Sequence, residues 1–126
     1  KIIDWINGTS TRDSKMVRII IRKILLDCFS LDQIGLDHGE LSVLDKHILI
    51  VGKKPTIIDF ESSSVKRKTS NVSSAIQALL IGTGLAMTIR KKTKIPRRDK
   101  IIRLVRAYKK SKSQESFDHL LFGLKL

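Results

Sequence analysis

Apolar residues recur along this chain at two different periods, and the change of period divides it. Val17, Ile20, Ile21, Ile24, Leu25 and Cys28 follow the i, i+3, i+4, i+7 spacing of one helical face. Thr11 or Asp13 is the candidate N-cap of that helix, which is expected to run to about Ser30. A second stripe, Val72, Ala75, Ile76, Leu79 and Leu80, predicts a buried helix capped by Asn71. Pro96 opens a third helix with Ile101, Leu104, Val105 and Tyr108 facing inward, and Phe117, Leu120, Leu121 and Leu124 make a fourth. Between these, short apolar runs at 48–51 and 55–58 flank Gly52-Lys53-Lys54, which reads as a hairpin turn. The opening "KIIDWINGTS" reads as a short strand or extended segment that ends on the turn signal Asn7-Gly8. "LDQIGLDHGELSVLDK" and the serine-rich "ESSSVKRKTS" show no periodicity and are expected as loops, the second a mobile one. The fold class expected is mainly α, of the α+β kind, with helices packed around a small hairpin.

Composition narrows the class without naming a function. The chain has 126 residues, 41% hydrophobic and 29% charged, which suits one globular domain with a real core. A single cysteine excludes an internal disulfide and favours a reducing, cytoplasmic setting; Cys28, on an apolar helix face, reads as a buried, inert thiol. The longest apolar run, 75–89, is too short for a bilayer and is broken by Gly82 and Gly84, so no membrane association is expected. The chain starts at Lys1 rather than methionine, which reads as a trimmed piece of a longer protein. Its net charge of +13 is concentrated after residue 65, a surface that attracts polyanions. Arg97, Arg98, Arg103, Arg106, Lys109 and Lys110 could track a phosphate backbone, although only Tyr108 is near for base stacking. Basic residues on solvated helix faces need no ligand, and heat-adapted proteins carry such charge ordinarily.

The hairpin gives the acidic residues around it a shared address. If Val51 faces Pro55, antiparallel pairing sets His47 opposite Asp59; a two-residue turn sets Lys46 there instead. In either register the loop carrying Glu40 and Asp45 feeds into the same end. Glu40, Asp45, His47 and Asp59 therefore converge, and converging carboxylates call for a shared cation or proton. Oxygen ligands from side chains, water and phosphate suit Mg²⁺, as phosphoryl transfer requires. The plain alternative is a set of polar residues at strand ends meeting water.

His38-Gly39-Glu40-Leu41, the strand Ile48-Leu49-Ile50, and Ile57-Ile58-Asp59-Phe60-Glu61 resemble the catalytic loop, following strand and metal-binding triplet of protein kinases, usually H-R-D-L-x-x-x-N followed by D-F-G. "HGEL" with "IIDFES" is similar to a group of small archaeal predicted serine/threonine kinases, distant relatives of the RIO-type atypical kinases. The resemblance covers residues 1 to about 85. It implies a kinase-like C-terminal lobe over 11–126, preceded by a hinge-strand remnant at 1–10 whose Asp4 and Trp5 would border the nucleotide. Within that lobe it implies a catalytic loop at 38–47, a hairpin at 48–58, the metal triplet at 59–61 and an activation-segment-like loop at 61–70. Glu40 matches the residue that orients the acceptor hydroxyl, Asp59 the ligand of Mg²⁺ across the ATP phosphates, and His38 the packed histidine of the loop. "SNVSSAIQALLIG" matches the buried central helix, and Ser62, Ser63, Ser64, Thr69 and Ser70 become candidate phosphorylation sites beside Lys66, Arg67 and Lys68.

The departures from the pattern bear on activity. Glutamate at 40 extends the carboxylate by one methylene, and the metal-binding asparagine is replaced by either Asp45 or His47, of which aspartate is the better Mg²⁺ ligand. Glu61 stands where the pattern has glycine. No G-x-G-x-x-G precedes residue 38 and no V-A-I-K lysine is present, so the N-terminal lobe is missing and weak nucleotide binding with little or no turnover is expected of the fragment alone. The partners implied are ATP, a protein bearing a Ser/Thr acceptor and the missing lobe. Two other readings stay open: a small-molecule phosphotransferase of the same fold, against which the short C-terminal region argues, and an inactive or nucleic-acid-binding scaffold using the basic helix.

Overall fold

The computed structural model describes residues 1–8, 14–82 and 84–126, so the candidate caps Thr11 and Asp13 lie outside the described residues. The chain opens on a helix, α1 (Ile2–Asn7), not on the expected strand. Ile2 and Ile6, one turn apart, are both 1% exposed, which gives α1 one buried face. The Ile3 N–H donates to the Asp45 carboxylate at 2.9 Å, so a side chain distant in sequence stabilises the first turn of this short helix. Sequence alone shows no such partner, and the apolar pattern of so short a segment fits either period.

Helix α2 (Ser14–Ile34) buries the whole predicted stripe and continues past Ser30. It stops where Gly35 takes φ +78°. Leu36 N–H donates to Leu31 C=O at 3.1 Å and Gly35 N–H to Asp32 C=O at 3.2 Å, the paired bonds of a Schellman cap. A 3₁₀ segment, Leu41–Lys46, follows in place of an open loop and buries Leu41 and Leu44. Strands β1 (Ile48–Val51) and β2 (Lys54–Ile57) pair antiparallel with Val51 opposite Lys54. The turn is therefore the two-residue alternative, with Gly52 at φ +64° in its first position.

Helix α3 (Asn71–Ile76) runs into a π turn, Gln77–Ile81, and the chain resumes as α4 (Gly84–Lys92), a separate helix the apolar pattern did not announce. Helices α5 (Arg98–Ser111) and α6 (Gln114–Gly123) complete the order, α6 opening on a capping box between Ser113 and Ser116. The fold is mainly helical with one two-stranded antiparallel sheet, as expected. Every predicted core position of α2, α3 and α6 is buried; on α5, Ile101 and Tyr108 are buried while Leu104 and Val105 are half-buried. Phe29 stacks on Phe117 with centroids 4.3 Å apart, and Tyr108 meets both rings edge-on. Cys28 is fully buried, and burial pushes its thiol up beyond reach of titration, as an inert core residue requires. Among the described residues no single helix is long and apolar enough to cross a membrane.

Candidate functional site

Four segments meet at the end of the hairpin away from its turn: the loop after α2, the 3₁₀ segment, and the two chain ends flanking β1 and β2. Asn71 anchors the first of them. It was expected as a helix cap, but Ser70 holds the N-cap position and the Asn71 side chain turns inward. Asn71 Oδ1 accepts from the His38 N–H at 2.8 Å, while its Nδ2 donates to Leu36 C=O at 2.7 Å and to Asp32 Oδ1 at 2.9 Å. Asp32 also accepts from Asn71 N–H at 3.1 Å and from the Tyr108 hydroxyl at 2.7 Å. Burial, with the Asp32 hydrogen bond added, pushes the Tyr108 hydroxyl up, so it stays a donor. The sequence carried one signal of this network, since Asp32 continues the apolar stripe of α2 four residues after Cys28.

His38 is fully buried and uses both ring nitrogens. Its Nδ1 accepts from the Glu40 N–H at 3.2 Å, which leaves Nε2–H to donate to Ile58 C=O at 2.9 Å. One ring thus ties the backbone of Glu40 to the residue before Asp59. This is the packing role expected of it. The hairpin adds a second tie, Ile58 N–H to His47 C=O at 2.9 Å. Asp59 itself adopts φ +63°, a left-handed conformation that aspartate tolerates better than most residues, and such backbone is concentrated at functional sites.

The result is a cluster centred on His47. Its Nε2 lies 3.5 Å from Glu40 Oε2 and 3.9 Å from Asp59 Oδ2, and the three ligand atoms all fall within 4.8 Å of one another. Both carboxylates reach solvent, whereas the His47 side chain is 9% exposed. His47 Nδ1–H donates to Val43 C=O at 2.8 Å, so Nε2 is the nitrogen turned to the acids. Of the two residues proposed for the asparagine's place, the structure brings His47 to the acids; Asp45 serves α1 instead. Asp4 and Trp5, expected on a strand, sit on α1: Asp4 is exposed, and Trp5 packs partly buried against the core. Neither pairs with the acids around His47.

The serine-rich loop has no regular structure but is fastened. Ser64 exchanges both backbone hydrogen bonds with Asp37, and Arg67 donates to Asp37 Oδ2 at 2.7 Å and to Ser62 C=O at 2.6 Å. Desolvation pushes the Asp37 carboxyl up, yet hydrogen bonds from Ser70 N–H and Arg67, with the Arg67 charge, hold it below the usual carboxylate range. Ser70 Oγ donates to the same carboxylate, and Thr69 Oγ1 accepts from Lys112 Nζ at 3.1 Å. Ser62 is exposed, while Ser63, Ser64, Thr69 and Ser70 are half-buried. Gly39, at φ +94°, lies against this anchor: a Cβ there would come within 2.5 Å of Arg67 Nη2 and 2.9 Å of Ser62 C=O. Arg67 and Asp37 escaped sequence reasoning because nothing local links a loop arginine to an acid thirty residues before it.

Fold and site together define a mainly helical α+β domain presenting one imidazole and two carboxylates at the open end of a hairpin. Comparison with known proteins adds little to that class. No family model matches the chain. It is similar to the uncharacterized protein MJ1211 of Methanocaldococcus jannaschii, 40% identical over 77 residues, a match that covers 60% of this chain and 65% of that protein. The chain thus spans just under two thirds of its relative's length.

Proposed function

We propose that this chain is the C-terminal lobe of an ATP-dependent serine/threonine protein kinase of atypical type, working in the cytoplasm. One observation carries the reading: the His38 clamp and the hairpin bring Glu40 and Asp59, nineteen residues apart, to the same imidazole with their carboxylates open to solvent. In this reading Glu40 orients the acceptor hydroxyl and takes its proton. His38 and Asn71 hold the backbone that presents Glu40. Asp59 offers the oxygen that would meet Mg²⁺ on the ATP phosphates, where the ion would neutralise charge on the transferred group. The neighbouring His47 nitrogen suits Mg²⁺ poorly, so the donor set fits that ion only in part. Arg67 fills the space beside Gly39, where the kinase pattern has its own arginine, and holds the Ser62–Ser70 loop against the catalytic loop.

The test is phosphate transfer from labelled ATP to a generic Ser/Thr acceptor by the full-length parent protein, with Glu40→Ala and Asp59→Ala beside it. The expected result is activity in the wild type and a loss of at least about 10²-fold in each variant. A folded wild-type parent without transfer overturns the reading. One observation favours a second reading, binding of nucleic acid: Arg103, Arg106 and Lys110 line a shallow depression on the exposed face of α5, and Arg97 and Arg98 are exposed at its start.

A further inference from the structure

We propose that Glu40, His47 and Asp59 form a binding site for a divalent first-row transition ion, selective against Mg²⁺. Two carboxylates and an imidazole nitrogen face one space, all within 4.8 Å. The Nδ1–H bond to Val43 C=O fixes the ring with Nε2 turned to the carboxylates, which is the outer arrangement metal-bound histidines show. Mg²⁺ prefers an all-oxygen octahedron and gives up water reluctantly, whereas imidazole binds the later divalent ions better, in the order that rises from Mn²⁺ through Co²⁺ and Ni²⁺ to Cu²⁺ and falls again at Zn²⁺.

Mobility is distributed as a binding site needs. His47 is held by packing, its ring edge-on to His38 at 5.2 Å, while the exposed Glu40 and Asp59 side chains can close the remaining distance. Glu40 is the carboxylate placed beside His47 and Asp59 to complete the set. His119, exposed on α6 beside Asp118 and one turn from Glu115, is the place where an ion would lodge adventitiously. The inference rests on coordination geometry and not on phosphoryl transfer, so either can fail alone.

Co²⁺, titrated into the folded chain without nucleotide, is the probe, read by paramagnetic shifts of the three histidine rings and by visible absorption. The expected result is strong shifts of the His47 ring protons at about one equivalent, with a tenfold excess of Mg²⁺ failing to displace the ion. Asp59→Asn, an exposed substitution that leaves the packing alone, should weaken Co²⁺ at least tenfold. His47→Asn should do the same and bring the Co²⁺ and Mg²⁺ affinities closer together. Shifts at His119 alone, displacement by equimolar Mg²⁺, or unchanged affinity in Asp59→Asn would overturn the proposal.

Discussion

Asp37 and His38 are adjacent, buried and polar, and each is kept in one state by its partners. His38 has a donor on one ring nitrogen and an acceptor on the other, so its partners fix one orientation and one tautomer of the ring. Asp37 is a carboxylate held ionised by Ser70 and Arg67. Its folded-state value lies below the ordinary one, so its contribution to stability is present above about pH 4 and is lost as the pH falls through the folded value. Urea unfolding between about pH 2 and 6 should show this acid limb in the wild type and a flatter one in Asp37→Asn, which is also less stable at pH 6. Equal slopes for the two proteins would remove Asp37 as the group responsible.

Elements meet at the site through close approaches that no side chain could fill. Gly39 links the His38 clamp to Glu40, and the guanidinium of Arg67 occupies the place a Cβ would take. Gly39→Ala therefore strains the left-handed backbone and displaces Arg67 together, with an expected cost of about 1–3 kcal/mol. Thermal unfolding measures the cost, and faster proteolysis within 61–70 would show the loop released. A variant as stable and as protected as the wild type would mean the loop has another anchor. The first helix carries the same lesson. Its inner turn is completed by Asp45, a residue chemistry alone nominates for a metal, so a carboxylate's role here follows from which backbone reaches it first.

Across the whole molecule charge is distributed unevenly: acidic and basic residues balance up to residue 65, and the excess of +13 lies after it. Arg103 and Arg106, three residues apart on α5, share one exposed face. If that face binds RNA, affinity for a single strand should fall with salt at a log–log slope of about −3 for four phosphate contacts, with little dependence on sequence. Reversing both charges, Arg103→Glu with Arg106→Glu, should weaken binding by at least tenfold in filter or anisotropy assays. No binding at about 0.15 M salt would leave the charge as a solvated surface.

Helix faces, the hairpin and the meeting of Glu40 with Asp59 were legible in the sequence because each depends on local period or on pairing across one short turn. Val17 to Cys28, Val72 to Leu80 and Phe117 to Leu124 are periodic enough to declare their buried faces. Pairing across the hairpin put both Asp45 and His47 beside Glu40 and Asp59. Only the tertiary structure decided which of the two stays there, since the choice turns on α1 arriving to take the Asp45 carboxylate. It likewise decided that 1–8 is helical, that Asn71 joins Asp32, Leu36 and His38 instead of capping a helix, and that the serine-rich loop is pinned by Arg67. Each of those depends on a polar group finding a partner thirty or more residues away once the core has closed, and periodicity carries no record of such partners.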